Sequence, residues 1–221
     1  MTTPHELSTN ATFCVGVTGH RRGRLTQMDE PRLRQRLHDI LAWLIAYRNT
    51  PASMERLGVG VRATEPFSAV ALLSALAEGA DQMAAEEALR LDCILWCALP
   101  FSRTDYEADF STSETRAAYH ALLAQAAAVT ELRGTRASEE AAYANVGHWV
   151  VERSNVLLAI WDGGRAHGPG GTASIVAAAL ACGRPVIWLD ARSPHRIRLL
   201  TGPGQPSPVD ITSWFLNTVD A

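Results

Sequence analysis

Five short apolar runs constrain this chain more than any other feature: TFCVGV (12–17), FSAVALL (67–73), CILWCAL (93–99), NVLLAIW (155–161) and PVIWL (185–189). Each is continuously apolar rather than alternating, the pattern of a strand covered on both faces. AVTEL (128–132) reads as a weaker sixth. The segments between them carry helical spacing. Leu33, Leu37, Ile40, Leu41 and Leu44 recur on one face, with Thr26 and Asp29 offering a capping box and Arg32, Arg34 and Arg36 turned to solvent. Further helices are expected from about Ala80 to Leu91, from Thr112 to Ala127 with Ser111 and Glu114 as its box, and from Glu139 to Arg153 behind Ser138. A last one follows Thr172, where Ala177, Ala178, Ala179 and Ala181 suit close packing and Gly183 ends the helix. This order predicts an α/β fold: a three-layer, Rossmann-like, doubly wound and mainly parallel sheet with helices on both faces.

A chain of 221 residues, 47% hydrophobic and 19% charged, is expected to form one domain, with its core at about 12–190 and a C-terminal loop and short helix over 191–221. The stretches 49–66 and 191–208 read as long loops, and DITSWFLNTVD as a short terminal helix. A net charge of −3 argues against a protein that coats duplex nucleic acid or an anionic membrane. The sequence contains no lysine, which excludes a P-loop lysine and a Schiff-base lysine. The polar opening MTTPHELSTN lacks the basic and apolar regions of a signal peptide, and no apolar run is long enough to span a bilayer, so a cytoplasmic location is expected. Cys14, Cys93, Cys97 and Cys182 form no C-x-x-C pair and sit in apolar segments, as buried reduced thiols would; no metal is assigned to them. The histidines, including His148 and His167, have no partners at metal-ligand spacing.

In doubly wound sheets ligands sit beyond the carboxyl ends of the strands, where strand order reverses. After the first strand, TGHRRGR (18–24) brings a tight turn together with Arg21, Arg22 and Arg24, whose guanidinium forks match phosphate. After the second, SALAEGADQMA (74–84) offers Ser74, a turn at Gly79 and Asp81, which can cap the next helix or accept from a ribose. After the third, Pro100 ends the strand and Arg103, Asp105, Tyr106, Glu107 and Asp109 follow as a solvated helix start. The strongest signal is DGGRAHGPGGTASIVAAALACG (162–183). Asp162, Gly163, Gly164, Gly168, Gly170 and Gly171 permit close backbone approach, and Thr172 opens a helix whose N-terminal dipole favours an anion. The spacing fits neither G-x-G-x-x-G nor the P-loop.

As a set, VGVTGHR, SALAEGADQMAAEEAL, ILWCALPFSRTDYEADF, ERSNVLLAIWDG and GPGGTASIVAAA resemble the SLOG superfamily over about residues 12–190. This Rossmann-like group includes cytokinin-activating LOG enzymes, DNA-processing protein A and nucleotide-sensing domains. The resemblance is greatest to bacterial stand-alone or sensor-type members. It implies a nucleotide or nucleotide-derived ligand, no further cofactor, a cytoplasmic protein, and a homodimer or larger assembly. The expected ligand-binding set is Thr18, Gly19, His20, Arg21, Ser74, Gly79, Asp81, Pro100, Asp162, Gly163, Gly170, Gly171 and Thr172. His20 could touch phosphate or act as an acid near neutrality.

LOG phosphoribohydrolases carry P-G-G-x-G-T-x-x-E at the glycine-rich loop. Aligning Gly171 and Thr172 with its G-T puts Ile175 where the glutamate would stand, so the sequence favours binding or sensing over catalysis. If the chain is an enzyme, the alternative is a nucleoside-phosphate N-glycosidase or related nucleotide hydrolase with a relocated carboxylate: Asp81 or Glu107 first, then Asp105 or Asp162. Single-stranded DNA binding is a minor third expectation, because it usually needs a basic stripe.

Overall fold

The computed structural model describes residues 12–60, 66–166, 168–202 and 208–215. Eight strands form one sheet in the order β4-β3-β2-β1-β5-β6-β7-β8. The strands are β1 (Thr12–Gly19), β2 (Ala69–Ser74), β3 (Ile94–Leu99), β4 (Ala128–Glu131), β5 (Val156–Trp161), β6 (Val186–Asp190), β7 (Ile197–Leu200) and β8 (Val209–Asp210). The first six run parallel, β7 pairs antiparallel with β6, and β8 pairs antiparallel with β7. The architecture is therefore the three-layer, mostly parallel α/β sheet that the apolar runs predict.

Strand alternation divides the core into two layers. Phe13, Val15, Val17, Leu72, Leu95, Leu158 and Ile160 face a cluster built with α2 (Glu30–Tyr47), α4 (Ala80–Arg90) and α6 (Ser113–Gln125). Cys14, Leu73, Trp96, Leu157 and Ala159 face the other way, against α7 (Glu139–Arg153) and α8 (Thr172–Ala181). Leu33, Leu37, Ile40, Leu41 and Leu44 of α2 are fully buried, each contributing roughly 1.5–3 kcal/mol by leaving water. β1 lies between β2 and β5, so the chain reverses its direction of travel across the sheet at the β1/β5 boundary.

Several local expectations are corrected. The 49–66 stretch holds a helix, α3 (Pro51–Leu57), started by proline in its first turn and closed by Gly58 at φ +74; residues 61–65 lie outside the described ones. Two further short helices appear, α1 (Arg22–Leu25) and α5 (Arg103–Tyr106). Residues 191–208 are not simply loop, because β7 falls within them, and of the terminal helix only the 3-10 turn Thr212–Trp214 falls within the described residues. Asp29 does cap α2 by accepting from Arg32 N, but Thr26 turns to the carbonyl of Gly23, so no box forms. Arg34 and Arg36 are half-buried in ion pairs rather than solvated, Arg34 with Glu30 and Glu86 and Arg36 with Asp39. The box of α6 is Thr112 with Thr115, while Ser111 instead donates to the buried Glu78 at 2.7 Å. Ser138 caps no N–H of α7. Of the α8 alanines named from sequence, only Ala179 is fully buried, and Cys182, unlike the other three cysteines, is exposed. No helix among the described residues is long and apolar enough to cross a membrane.

Candidate functional site

A cavity of about 440 Å³ opens at the carboxyl ends of β1, β2 and β5, at the point where strand order reverses. Its size lies within the ~300–1,000 Å³ of ordinary small-molecule pockets. Val17 to Arg21, Gly23 and Arg24 form one wall, and Ala75, Ala77 and Asp81 the floor beneath β2. Tyr106 closes one side, Glu140, Tyr143, Val146, Gly147 and Val150 of α7 another, and the glycine-rich loop with the first turn of α8 completes the rim.

The loop after β2 is ordered around one carboxylate. Asp81, in the first turn of α4, accepts from the backbone of Ala77 and Ala75 and from Ser74 Oγ at 3.4 Å. Leu76 N donates to Ser74 Oγ at 2.9 Å, and Leu76 itself sits fully buried at φ +55, a conformation that leucine rarely adopts. Burial pushes the Asp81 carboxyl up to about 6, against the opposing pull of Arg21, the Ala77 and Ala75 N–H groups and Ser74. Gly79, at φ +110, lets the chain form a short antiparallel bridge with Arg21, in which Arg22 N donates to Glu78 O at 3.1 Å and Ala80 N to His20 O at 3.0 Å. Asp81 is therefore neither a helix cap nor an idle acid; it holds the β2 loop that in turn fixes the start of the arginine loop.

The loop after β5 is organised differently. Asp162 Oδ1 accepts from Gly164 N at 2.9 Å, and Asp162 Oδ2 from Arg192 at 3.0 Å. Trp161 Nε1 donates to Gly164 O and Trp188 Nε1 to Trp161 O, each at 2.9 Å. Gly170 passes so close to α7 that a Cβ there would lie 2.6 Å from Tyr143 Cβ and 3.0 Å from Ala144 N. That approach delivers Gly171, Thr172 and Ala173 to the cavity rim. Ser174 Oγ ties back to Gly168 O at 2.9 Å. The first turn of α8 contains no acidic residue and no side-chain cap, so Thr172 and Ala173 line the cavity with no carboxylate of their own turn beside them.

His20 is buried, and its Nε2 lies 3.1 Å from both the backbone N and the Oδ1 of Asp162. Burial lowers the imidazole pKa although Asp162 opposes this, so His20 is neutral near pH 7 and Nε2 accepts from Asp162 N–H. The contact is a hydrogen bond that locks the β1 loop to the β5 loop, not an ion pair. Burial opposes ionisation of Asp162 too, but Gly164 N–H and the Arg192 guanidinium hold the carboxyl below its ordinary value.

The crowded segment 103–109 does start a capped helix, with Ser102 Oγ accepting from Asp105 N at 3.2 Å. Asp109, however, is drawn inward. Its carboxylate accepts from Arg136 Nη1 at 2.7 Å and from Tyr143 OH, and lies 3.6 Å from Arg21 Nη2. The Arg21 guanidinium also stands 5.4 Å from the centroid of the Tyr143 ring, so one acid and one aromatic aim the arginine along the rim.

Of the residues expected from sequence, Thr18, Gly19, His20, Arg21, Asp81, Gly170, Gly171 and Thr172 line this cavity together. Ser74, Gly79 and Asp162 stand behind it as supports, while Gly163 packs toward Trp188. Pro100 is buried beyond it, accepting from Gly134 N. Glu107 turns to His120 at 3.4 Å and does not line the cavity, nor does Asp105, so neither supplies a carboxylate there. Ile175 is buried against Gly147 and forms part of the wall. Sequence reasoning missed Tyr143 and Glu140, which α7 presents to the rim. No group of three or more His, Cys, Asp or Glu among the described residues could hold a metal.

No protein-family model matches the chain, and no curated protein matches it. Solved structures do. DNA processing protein A from Helicobacter pylori, described for its single-stranded DNA binding mode, superposes with a TM-score of 0.50 at 17% identity, over 83% of this chain and 68% of that one. DNA processing protein A from Streptococcus pneumoniae gives a TM-score of 0.49 at 12% identity, over 84% of this chain and 54% of that one. Identity this low speaks for architecture alone: the chain shares the Rossmann-like α/β fold of DNA processing protein A from Helicobacter pylori.

Proposed function

We propose that this cavity binds a nucleotide or a nucleotide-derived ligand, with its phosphate on the first turn of α8 and Arg21 beside it. The observation that carries this reading is the acid-free first turn of α8, opening into a cavity at the strand-order reversal. Such a turn favours anions through its unpaired N–H groups and dipole. The aromatic rings of Tyr106 and Tyr143 and the apolar side chains of Val146 and Val150 give the remaining space a surface suited to a base.

The test is the melting temperature of the purified protein with AMP, ADP-ribose, NAD and cyclic oligonucleotides. Saturation at a hundred times Kd adds about 2.7 kcal/mol, which for a chain of this size is roughly 5–10 °C. The shift is expected to disappear in Arg21→Ala and to weaken in Thr172→Val. Absence of a shift with every nucleotide would overturn the reading.

A second reading, hydrolysis of the N-glycosidic bond, is favoured by one observation: Asp81, with its carboxyl near 6, and Glu140 both border the cavity. Chromatography of the same samples separates the two, since an enzyme returns free base and sugar phosphate and a sensor returns intact ligand. An oligonucleotide arm at varied salt covers single-stranded DNA, for which the exposed Arg21 and Arg24 at the mouth would be the contacts.

A further inference from the structure

Glu140 is the unexpected group in a cavity whose rim otherwise suits anions. It belongs to the first turn of α7 and is exposed, and its Oε1 lies 3.9 Å from where a Cβ on Gly168 would stand, directly across from the glycine-rich loop. Among the described residues it has no ion pair, whereas its neighbour Glu139 reaches Arg136 at 3.9 Å. An ionised carboxylate can only accept hydrogen bonds. Set close to a phosphate it is repulsive unless the ligand brings donors to it.

The usual arrangement in dinucleotide-binding α/β folds gives ribose recognition to an acid beyond β2. Here the acid beyond β2 is Asp81, and its oxygens are already taken by Ala77, Ala75 and Ser74. That leaves Glu140 as the carboxylate on the rim with open acceptor positions. The group of a nucleotide nearest its phosphate is the sugar, because the base is attached one ring further on.

We infer that Glu140 accepts hydrogen bonds from the ribose hydroxyls of the bound ligand, making the site selective for a ribonucleoside 5′-phosphate over its 2′-deoxy counterpart. The inference rests on the nucleotide reading above and names the half of the ligand that reading leaves open. Glu140 also discourages ligands that are phosphate alone, since these bring charge without donors.

The experiment is titration calorimetry of the wild-type protein and of Glu140→Ala and Glu140→Gln with AMP, 2′-deoxy-AMP, IMP and inorganic phosphate. The wild type is expected to prefer AMP over 2′-deoxy-AMP by about tenfold, a preference that falls to about one in Glu140→Ala and is intermediate in Glu140→Gln. Inorganic phosphate is expected to bind Glu140→Ala at least as well as the wild type. IMP, which lacks the exocyclic amine, is expected to follow AMP; loss of the Glu140 effect with IMP alone would assign the carboxylate to the base and overturn the inference. AMP binding with the same ribose preference in both variants would overturn it while leaving the nucleotide reading intact. Failure of every probe to bind the wild type would remove both. Glu140 is exposed, so melting curves of the variants should match the wild type and confirm that they are folded.

Discussion

Two loops leave the same edge of the sheet and enter helices of the same polarity, yet they treat their helix starts in opposite ways. In the β2–α4 loop, Asp81 occupies the second position of α4 and takes the N–H groups of Ala75 and Ala77. In the β5–α8 loop, the matching second position of α8 is Ala173, and the first turn contains no acid. One loop is held from within by a carboxylate of the helix it enters; the other brings a first turn without an acid to the cavity rim. On the proposed reading, what separates the two loops is the presence or absence of this one carboxylate, not their glycine content.

The comparison can be broken most sharply by moving the carboxylate. Ala173→Asp should give α8 its own anion, abolish AMP binding by more than about a hundredfold, and leave the melting temperature of the free protein unchanged or higher, because acids in a first turn favour the helix dipole. Calorimetry and a melting curve on the same sample check both halves.

The filled loop makes its own prediction. The Asp81 carboxyl is raised from an ordinary 3.8 to about 6, so the folded state holds this proton more tightly than the unfolded chain does. Its contribution therefore favours folding most below about pH 4, declines as pH rises through 6, and is constant above, a change of about 3 kcal/mol from two units at 1.36 kcal/mol each. Urea denaturation between pH 4 and 8 should show that component in the wild type and lack it in Asp81→Asn; an identical pH dependence in the two would show that Asp81 does not titrate there.

Gly170→Ala sharpens the open side. A methyl group 2.6 Å from Tyr143 Cβ must push the loop from α7, and AMP affinity should fall about tenfold, or 1.4 kcal/mol, with a stability loss of about 1–3 kcal/mol. The smallest effect expected is that of Tyr143→Phe, which deprives Asp109 of one donor and loosens the aim of Arg21. A loss of about threefold in affinity follows from a hydrogen bond worth roughly 0.5–1 kcal/mol.

Five of the parallel strands were legible because each is covered on both faces and written as an unbroken apolar run, whereas β4, the half-buried edge strand AVTE, gave only a weaker signal. β7 was not, because IRLL lies between proline- and glycine-bearing segments and carries Arg198, whose guanidinium finds cover over its cross-strand partner Trp188 at 4.5 Å. The 50–58 stretch did carry the signs of α3, a proline at its start and a glycine at its end, within a stretch read as loop. At the site, the loops themselves were legible, since strand ends mark them. Glu140 was not, because it lies in the first turn of a helix 28 residues upstream of Gly168, and only the packing of α7 against the β5–α8 connection brings them together. Asp81 was visible, but its role depends on backbone N–H groups whose direction is set by the turn at Leu76.

The most direct test is to follow backbone amide resonances while AMP is added to the isotopically labelled protein. The account predicts large, saturable shifts at Thr172 and Ala173 and little change at Ala75 and Ala77, whose N–H groups Asp81 already holds. Shifts concentrated at Ala75 and Ala77, with Thr172 and Ala173 unmoved, would contradict it.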